Sequence, residues 1–146
     1  MARPDAEPRM HTAEHILNQT MTRMFDCGRC FNAHIERKKS KCDYRFDRAL
    51  TDEEIAEIER RVNEIVAADM PVSAEILARE EAERAVDTSL LPDAVEGDVR
   101  IVRVGDYDAC PCVGEHVASS GEIGGFRIVS TDFRDGALRV RFKLAD

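Results

Sequence analysis

Tryptophan is absent from the 146 residues and tyrosine occurs only twice, so a binding surface built on exposed aromatic stacking is not expected. No run of about 18 apolar residues occurs, which excludes a transmembrane helix of ordinary length. The first ten residues carry Arg, Asp and Pro but no apolar stretch, and no secretory signal peptide is visible. Without an export signal, the five cysteines read as reduced thiols or metal ligands rather than as a disulfide framework. Internal repeats, low-complexity tracts and linker-like segments are also missing. What is present is 43% hydrophobic and 34% charged, enough to bury a core. The expectation is a single domain over residues 1–146, in the cytoplasm.

The formal charge of −8 argues against a polyanionic partner, but it is unevenly placed. Residues 23–48 carry eight basic and four acidic side chains, whereas 51–98 carry four basic and fifteen acidic ones. Arg37, Lys38, Lys39, Lys41, Arg45 and Arg48 form the densest positive cluster. Such a cluster can meet a phosphate backbone even on an acidic protein, and it can equally be a solvated hairpin tip.

Ala13, Leu17, Met21 and Met24 recur at helical spacing and predict a helix from Met10 to Phe25. His11 and His15 fall on another face of it. Phe31–Arg37 and Cys42–Asp47 read as extended runs joined by a turn at Lys38–Lys41. Thr51 followed by Glu54 is a capping box that opens a helix reaching Asp69. A strand at Val72–Leu77 and a short helix at Arg79–Val86 precede a loop bracketed by Pro92 and Gly97. Further strands are predicted at Val99–Val104, at Phe126–Ser130 and over the alternating Leu138–Leu144, with Asp135-Gly136 as a hairpin turn. The fold class is α+β, a largely antiparallel sheet packed with helices.

His11-x-x-x-His15 sets two imidazoles roughly 6 Å apart on one helix face, and Cys112-x-x-x-His116 lies in a loop after a strand. Three nitrogens and one sulfur suit Zn²⁺. A helix with solvated histidines and a buried Cys112 is the competing reading. Cys27-x-x-Cys30 has no second pair and no βαβ context, Cys110 competes with Cys112 as a ligand, and Cys42 reads as a small core residue on a strand.

The run Arg9-Met10-His11-Thr12-Ala13-Glu14-His15-Ile16-Leu17-Asn18 resembles the opening motif of the alanyl-tRNA synthetase editing domain and of its free-standing relatives, the AlaX deacylases. Cys112-Val113-Gly114-Glu115-His116-Val117 and Gly121-Glu122-Ile123-Gly124-Gly125-Phe126-Arg127-Ile128 carry the same resemblance. Leu50–Glu54, Met70-Pro71-Val72 and Val102–Asp106 follow in order and spacing. The chain opens at the histidine motif, and so is similar to the short AlaX type.

That resemblance implies the fold of the alanyl- and threonyl-tRNA synthetase editing domains. It also implies a Zn²⁺ site of His11, His15, Cys112 and His116, and hydrolysis of the ester of mischarged tRNA. Ser-tRNA(Ala) is the expected substrate, with Gly-tRNA(Ala) beside it. The alternatives are Ser-tRNA(Thr), a tRNA-binding module that has lost catalysis, and a structural zinc. Thr12, Asn32, His34 and Gly124 are expected against the substrate, Glu14 and Glu115 are candidate catalytic carboxylates, and Arg37, Lys38, Lys39 and Lys41 are expected on tRNA. Two departures from the family pattern stand out. Val113-Gly114-Glu115 replaces the usual Gly-Gly-Thr between the second pair of ligands, and Asn32-Ala33-His34 stands where relatives place a Gln and then a Gly.

Overall fold

The computed structural model describes residues 7–85 and 98–145. The loop expected between Pro92 and Gly97, and Val86 at the end of the short helix, lie outside them. The first helix, α1, runs Pro8–Phe25, two residues longer at its start than the apolar spacing predicts. Proline at the first helical position loses no hydrogen bond there, and the Glu7 side chain accepts from the Arg9 N–H, so the helix begins before its apolar stripe does. Asp26, left-handed at φ 54°, ends it.

Strands β1 (Asn32–His34) and β2 (Ser40–Arg45) form the first hairpin. Lys41 pairs with His34, so the turn lies earlier than expected, over 35–39. It is closed by Ser40 Oγ, which accepts from the Glu36 N–H and donates to the Glu36 carbonyl. Helix α2 (Asp52–Ala67) starts at the Thr51–Glu54 capping box. It is followed by β3 (Val72–Leu77), α3 (Arg79–Ala85), β4 (Val99–Val104) and β5 (Asp108–Pro111). A 3-10 turn at Ser120–Ile123 leads into β6 (Phe126–Arg134) and β7 (Ala137–Leu144).

Among the described residues every strand pair is antiparallel, and the strands divide into two sheets, β1-β2-β7-β6 and β3-β4-β5. The larger sheet packs Cys42, Tyr44, Leu138, Val140, Phe142, Phe126 and Ile128 against Met10, Ala13, Ile16, Leu17 and Met21 of α1 and Ile58 and Val62 of α2. Ala82, Val99 and Ile101 make a separate small cluster under the second sheet. β6 extends four residues past the expected Ser130. A bulge between Ile128 and Ser130 shifts the inward side from Phe126 and Ile128 to Thr131 and Phe133, which breaks the period-two signal. Asp135 and Gly136, both at positive φ, make the tight turn. β5 escaped the sequence reading because Asp, Ala and Pro are poor strand formers. It holds as an edge strand with Pro111 at its end.

Candidate metal centre

Helix α1 places His11 and His15 one turn apart, and the loop after β5 brings Cys112 and His116 against them. One ligating atom from each of the four lies within 4.8 Å of all the others. Cys112 Sγ is 3.5 Å from His11 Nε2 and 3.5 Å from His116 Nε2. The three imidazole rings crowd together at centroid distances of 5.1, 4.3 and 4.5 Å. The approach depends on Gly114, because a Cβ there would lie 2.2 Å from His11 Cε1. Arg100 steadies the loop by donating to the carbonyls of Cys112 (2.8 Å) and Gly114 (3.0 Å).

Two of the three rings are held by a hydrogen bond at the far nitrogen, and the third faces a carboxylate. His11 Nδ1 donates to the Glu115 carbonyl at 3.2 Å. Thr12 Oγ1 donates to the Pro8 carbonyl and accepts from the Val117 N–H, so its 3.0 Å contact with His116 Nδ1 makes the ring the donor. His15 Nδ1 faces Asp108 Oδ2 at 3.6 Å, beyond hydrogen-bond length, and is the buried atom without a hydrogen-bond partner among those described. His11 and His116 therefore keep Nε2 for the cluster, as metal-binding imidazoles do when an oxygen acceptor holds the other nitrogen.

Burial would lower His15, but Asp108 and the Cys112 sulfur raise it to about 9, so in the metal-free cluster this ring carries a proton that an ion would displace. Burial would push the Cys112 thiol up, but His11, His116 and His15 overcome it and hold the thiol at about 3, a thiolate at neutral pH. Burial also lowers His116 and keeps that ring neutral. Burial works against ionised Asp108 as well, yet His15 and the Arg29 guanidinium pull its carboxyl down to about 2. Four groups of this kind can hold a metal ion.

Comparison with known proteins places this arrangement. Residues 99–140, which include Cys112 and His116, match the threonyl and alanyl tRNA synthetase second additional domain. The alanine–tRNA ligase of Methanopyrus kandleri is 35% identical over 147 aligned residues, covering 94% of this chain. These matches are consistent with an editing domain of the second additional domain type. Alanine–tRNA ligases of Neisseria meningitidis and Pseudoalteromonas translucida are 35% and 33% identical over 86% and 88% of the chain. The chain spans only 16%, 14% and 15% of these three relatives.

Elsewhere in the chain the other expected site residues are scattered. Thr12 is fully buried and bonded to His116, so the expected substrate contact gives way to a role behind a ring. Glu115 is exposed and meets His11 through its backbone carbonyl, rather than as a carboxylate beside the cluster. Val113 is 93% exposed. Glu14 stands at the cluster's edge, with Oε1 3.7 Å from His11 Nε2. Asn32 and His34 lie on the exposed edge strand β1. Asn32 donates to Asp43 at 3.2 Å, and His34 is near Glu36 at 3.8 Å. Gly124, at φ 80°, lies against Arg9 Nη2. Arg37 reaches to 3.7 Å from Glu7, which caps α1 one turn before His11, so the basic hairpin sits at the His11 end of that helix. Cys110 is buried outside the group of four, and burial drives its thiol up to about 12.

Sequence reasoning missed Asp108 and Arg29. Asp108 is buried, takes Arg29 through two hydrogen bonds (2.8 and 3.3 Å) and also accepts from Gln19. Asp108, Cys110 and Cys112 share one parity, so once β5 is seen as a strand, Asp108 follows as the carboxylate behind a histidine.

Proposed function

We propose that this chain hydrolyses the ester of mischarged tRNA, Ser-tRNA(Ala) first and Gly-tRNA(Ala) beside it, with Zn²⁺ held by His11, His15, Cys112 and His116, and that it works in the cytoplasm as a single domain. The observation that carries the reading is the convergence of three imidazoles and a thiolate, with His11 and His116 tied back by their Nδ1 atoms and His15 facing Asp108. A tetrahedral zinc with Zn–S about 2.3 Å and Zn–N about 2.0–2.1 Å separates sulfur from nitrogen by roughly 3.5 Å. That is the Cys112–His11 and Cys112–His116 spacing. When bound, the ion would act as a Lewis acid toward the ester carbonyl or toward water.

The chain's own residues supply orientation and discrimination. Glu14 Oε2 accepts from Asn18, which leaves Oε1 facing the cluster to hold a proton from an attacking water. Asn32 and His34 are the polar groups put forward to read the serine hydroxyl, and Gly124 allows close backbone approach. A pocket that bonds this hydroxyl leaves its own polar atoms unpaired around alanine, which disfavours correctly charged tRNA. Arg37, Lys38, Lys39 and Lys41 would meet tRNA phosphates.

The test is deacylation of Ser-, Gly-, Ala- and Thr-charged tRNA. Serine release from Ser-tRNA(Ala), lost in Cys112→Ala with the circular dichroism spectrum unchanged, is the expected result. Salt-sensitive tRNA binding without cleavage of any ester would replace the hydrolase with a binding module. An R37E/K38E double variant should raise KM several-fold and leave kcat unchanged.

A further inference from the structure

Two cysteines that the tRNA chemistry leaves unused meet beside the cluster. Cys30 precedes β1 and Cys42 lies within β2, and their sulfurs share a compact group with Glu14 of α1. One donor atom from each lies within 4.8 Å of the other two. Cys30 Sγ is 3.5 Å from Glu14 Oε2. The CxxC partner that the sequence offers Cys30 is not in the group. Cys27 turns its sulfur to the Met21 and Gly28 carbonyls instead.

Two of the three donors, Glu14 and Cys30, are held from outside by one buried amide. Asn18 donates to Glu14 Oε2 at 3.3 Å, and its carbonyl oxygen accepts from the Cys30 N–H at 3.3 Å and from the buried Tyr44 hydroxyl at 2.7 Å. Asn18 and Tyr44 are 2% and 0% exposed, so the polar groups behind the donors are buried and hydrogen-bonded to each other. Cys42 is fully buried, and Cys30 and Glu14 form the accessible side. Outer partners of this kind are what orient metal ligands.

We propose that Glu14, Cys30 and Cys42 form a second cation site, distinct from the four-group cluster, that takes a zinc-class divalent ion. Two sulfurs and one carboxylate select a borderline-soft ion over Mg²⁺ or Ca²⁺. Three protein donors leave a fourth position for water. On binding, both thiols release their protons to solvent, and three anionic donors face the dication. The other oxygen of Glu14 lies 3.7 Å from His11 Nε2, which puts one carboxylate between the two sites. The proposal does not depend on the deacylase reading.

The experiment is titration of the metal-free, reduced full-length chain with Co²⁺ and with Zn²⁺, read by cobalt–thiolate absorption and by metal analysis after desalting. Wild type is expected to retain two equivalents. Cys30→Ser and, independently, Glu14→Gln should each retain one, and Cys112→Ser should keep one whose absorption still reports two thiolates. Cys30 and Glu14 are only half-buried, so both variants should keep the native dichroism spectrum. Glu14→Gln also keeps both sulfurs, so a matching loss in the two variants is not a folding artefact. One equivalent in wild type, lost in Cys112→Ser and kept in Cys30→Ser, would overturn the second site while leaving the four-ligand reading intact. A Cys30–Cys42 disulfide, seen as a loss of two hydrogens in protein purified without reductant and resistant to metal loading after reduction, would also overturn it.

Discussion

At the scale of single residues, the candidate centre depends on groups that touch no ligand themselves. Thr12 looks like an ordinary helix threonine, yet its one hydroxyl sets the tautomer of His116 because its own proton goes to the Pro8 carbonyl. Thr12→Val keeps the shape and removes the acceptor. Metal affinity is expected to fall about 10- to 100-fold, measured by competition with a chromogenic chelator, with little change in the unfolding midpoint of the metal-free protein. An unchanged affinity would mean that the ring needs no anchor. Histidine spacing was legible in the sequence because it is a one-turn property of α1. The acceptors behind the rings were not, since each comes from side-chain and backbone positions set by packing.

At the scale of elements, most of the chain's local rules held. The capping box at Thr51 is present in both directions: Glu54 N–H donates to Thr51 Oγ1, and Thr51 N–H donates to Glu54 Oε1. Thr51→Ala should cost about 1 kcal/mol, read from urea unfolding. Glu54 is held down at about 2 by Arg48 first and by the Thr51 N–H next. Its folded value is depressed, so its contribution is complete above the ordinary carboxylate value and is lost as pH falls from about 4 toward 2. Arg48→Leu should therefore lower stability at neutral pH and leave it unchanged near pH 2, which flattens the acid limb of the stability curve in that window. The elements misjudged were those whose signal tertiary pairing overrides. β5 holds only by pairing with β4, and β6 continues through a bulge that reverses its alternation.

At the scale of the whole molecule, the main core lies between the four-stranded sheet and helices α1 and α2, whereas the four-group cluster joins α1 to the loop after β5. The core does not need the cluster to close it. Chelation should therefore abolish ester hydrolysis while far-ultraviolet dichroism persists. Tm should drop by an amount that grows with the free zinc removed, since a ligand bound only by the native state stabilises by mass action. Outright unfolding on chelation would make the ion structural. Among the described residues no helix is long and apolar enough to cross a membrane.

The sequence by itself determined the donor types, their four-residue spacings, the amphipathic helices, the Asp135-Gly136 hairpin and the family resemblance. All of these are local properties or patterns that survive without a folded chain. Tertiary structure alone decided that Cys112 meets His11 across 101 residues, that Asp108 and Arg29 back His15, and that Cys30 finds Cys42 and Glu14 rather than Cys27. Periodicity tells which face a side chain occupies. Which other face it meets is set by how the helices and the two sheets close over a shared core, and no stretch of chain encodes that alone.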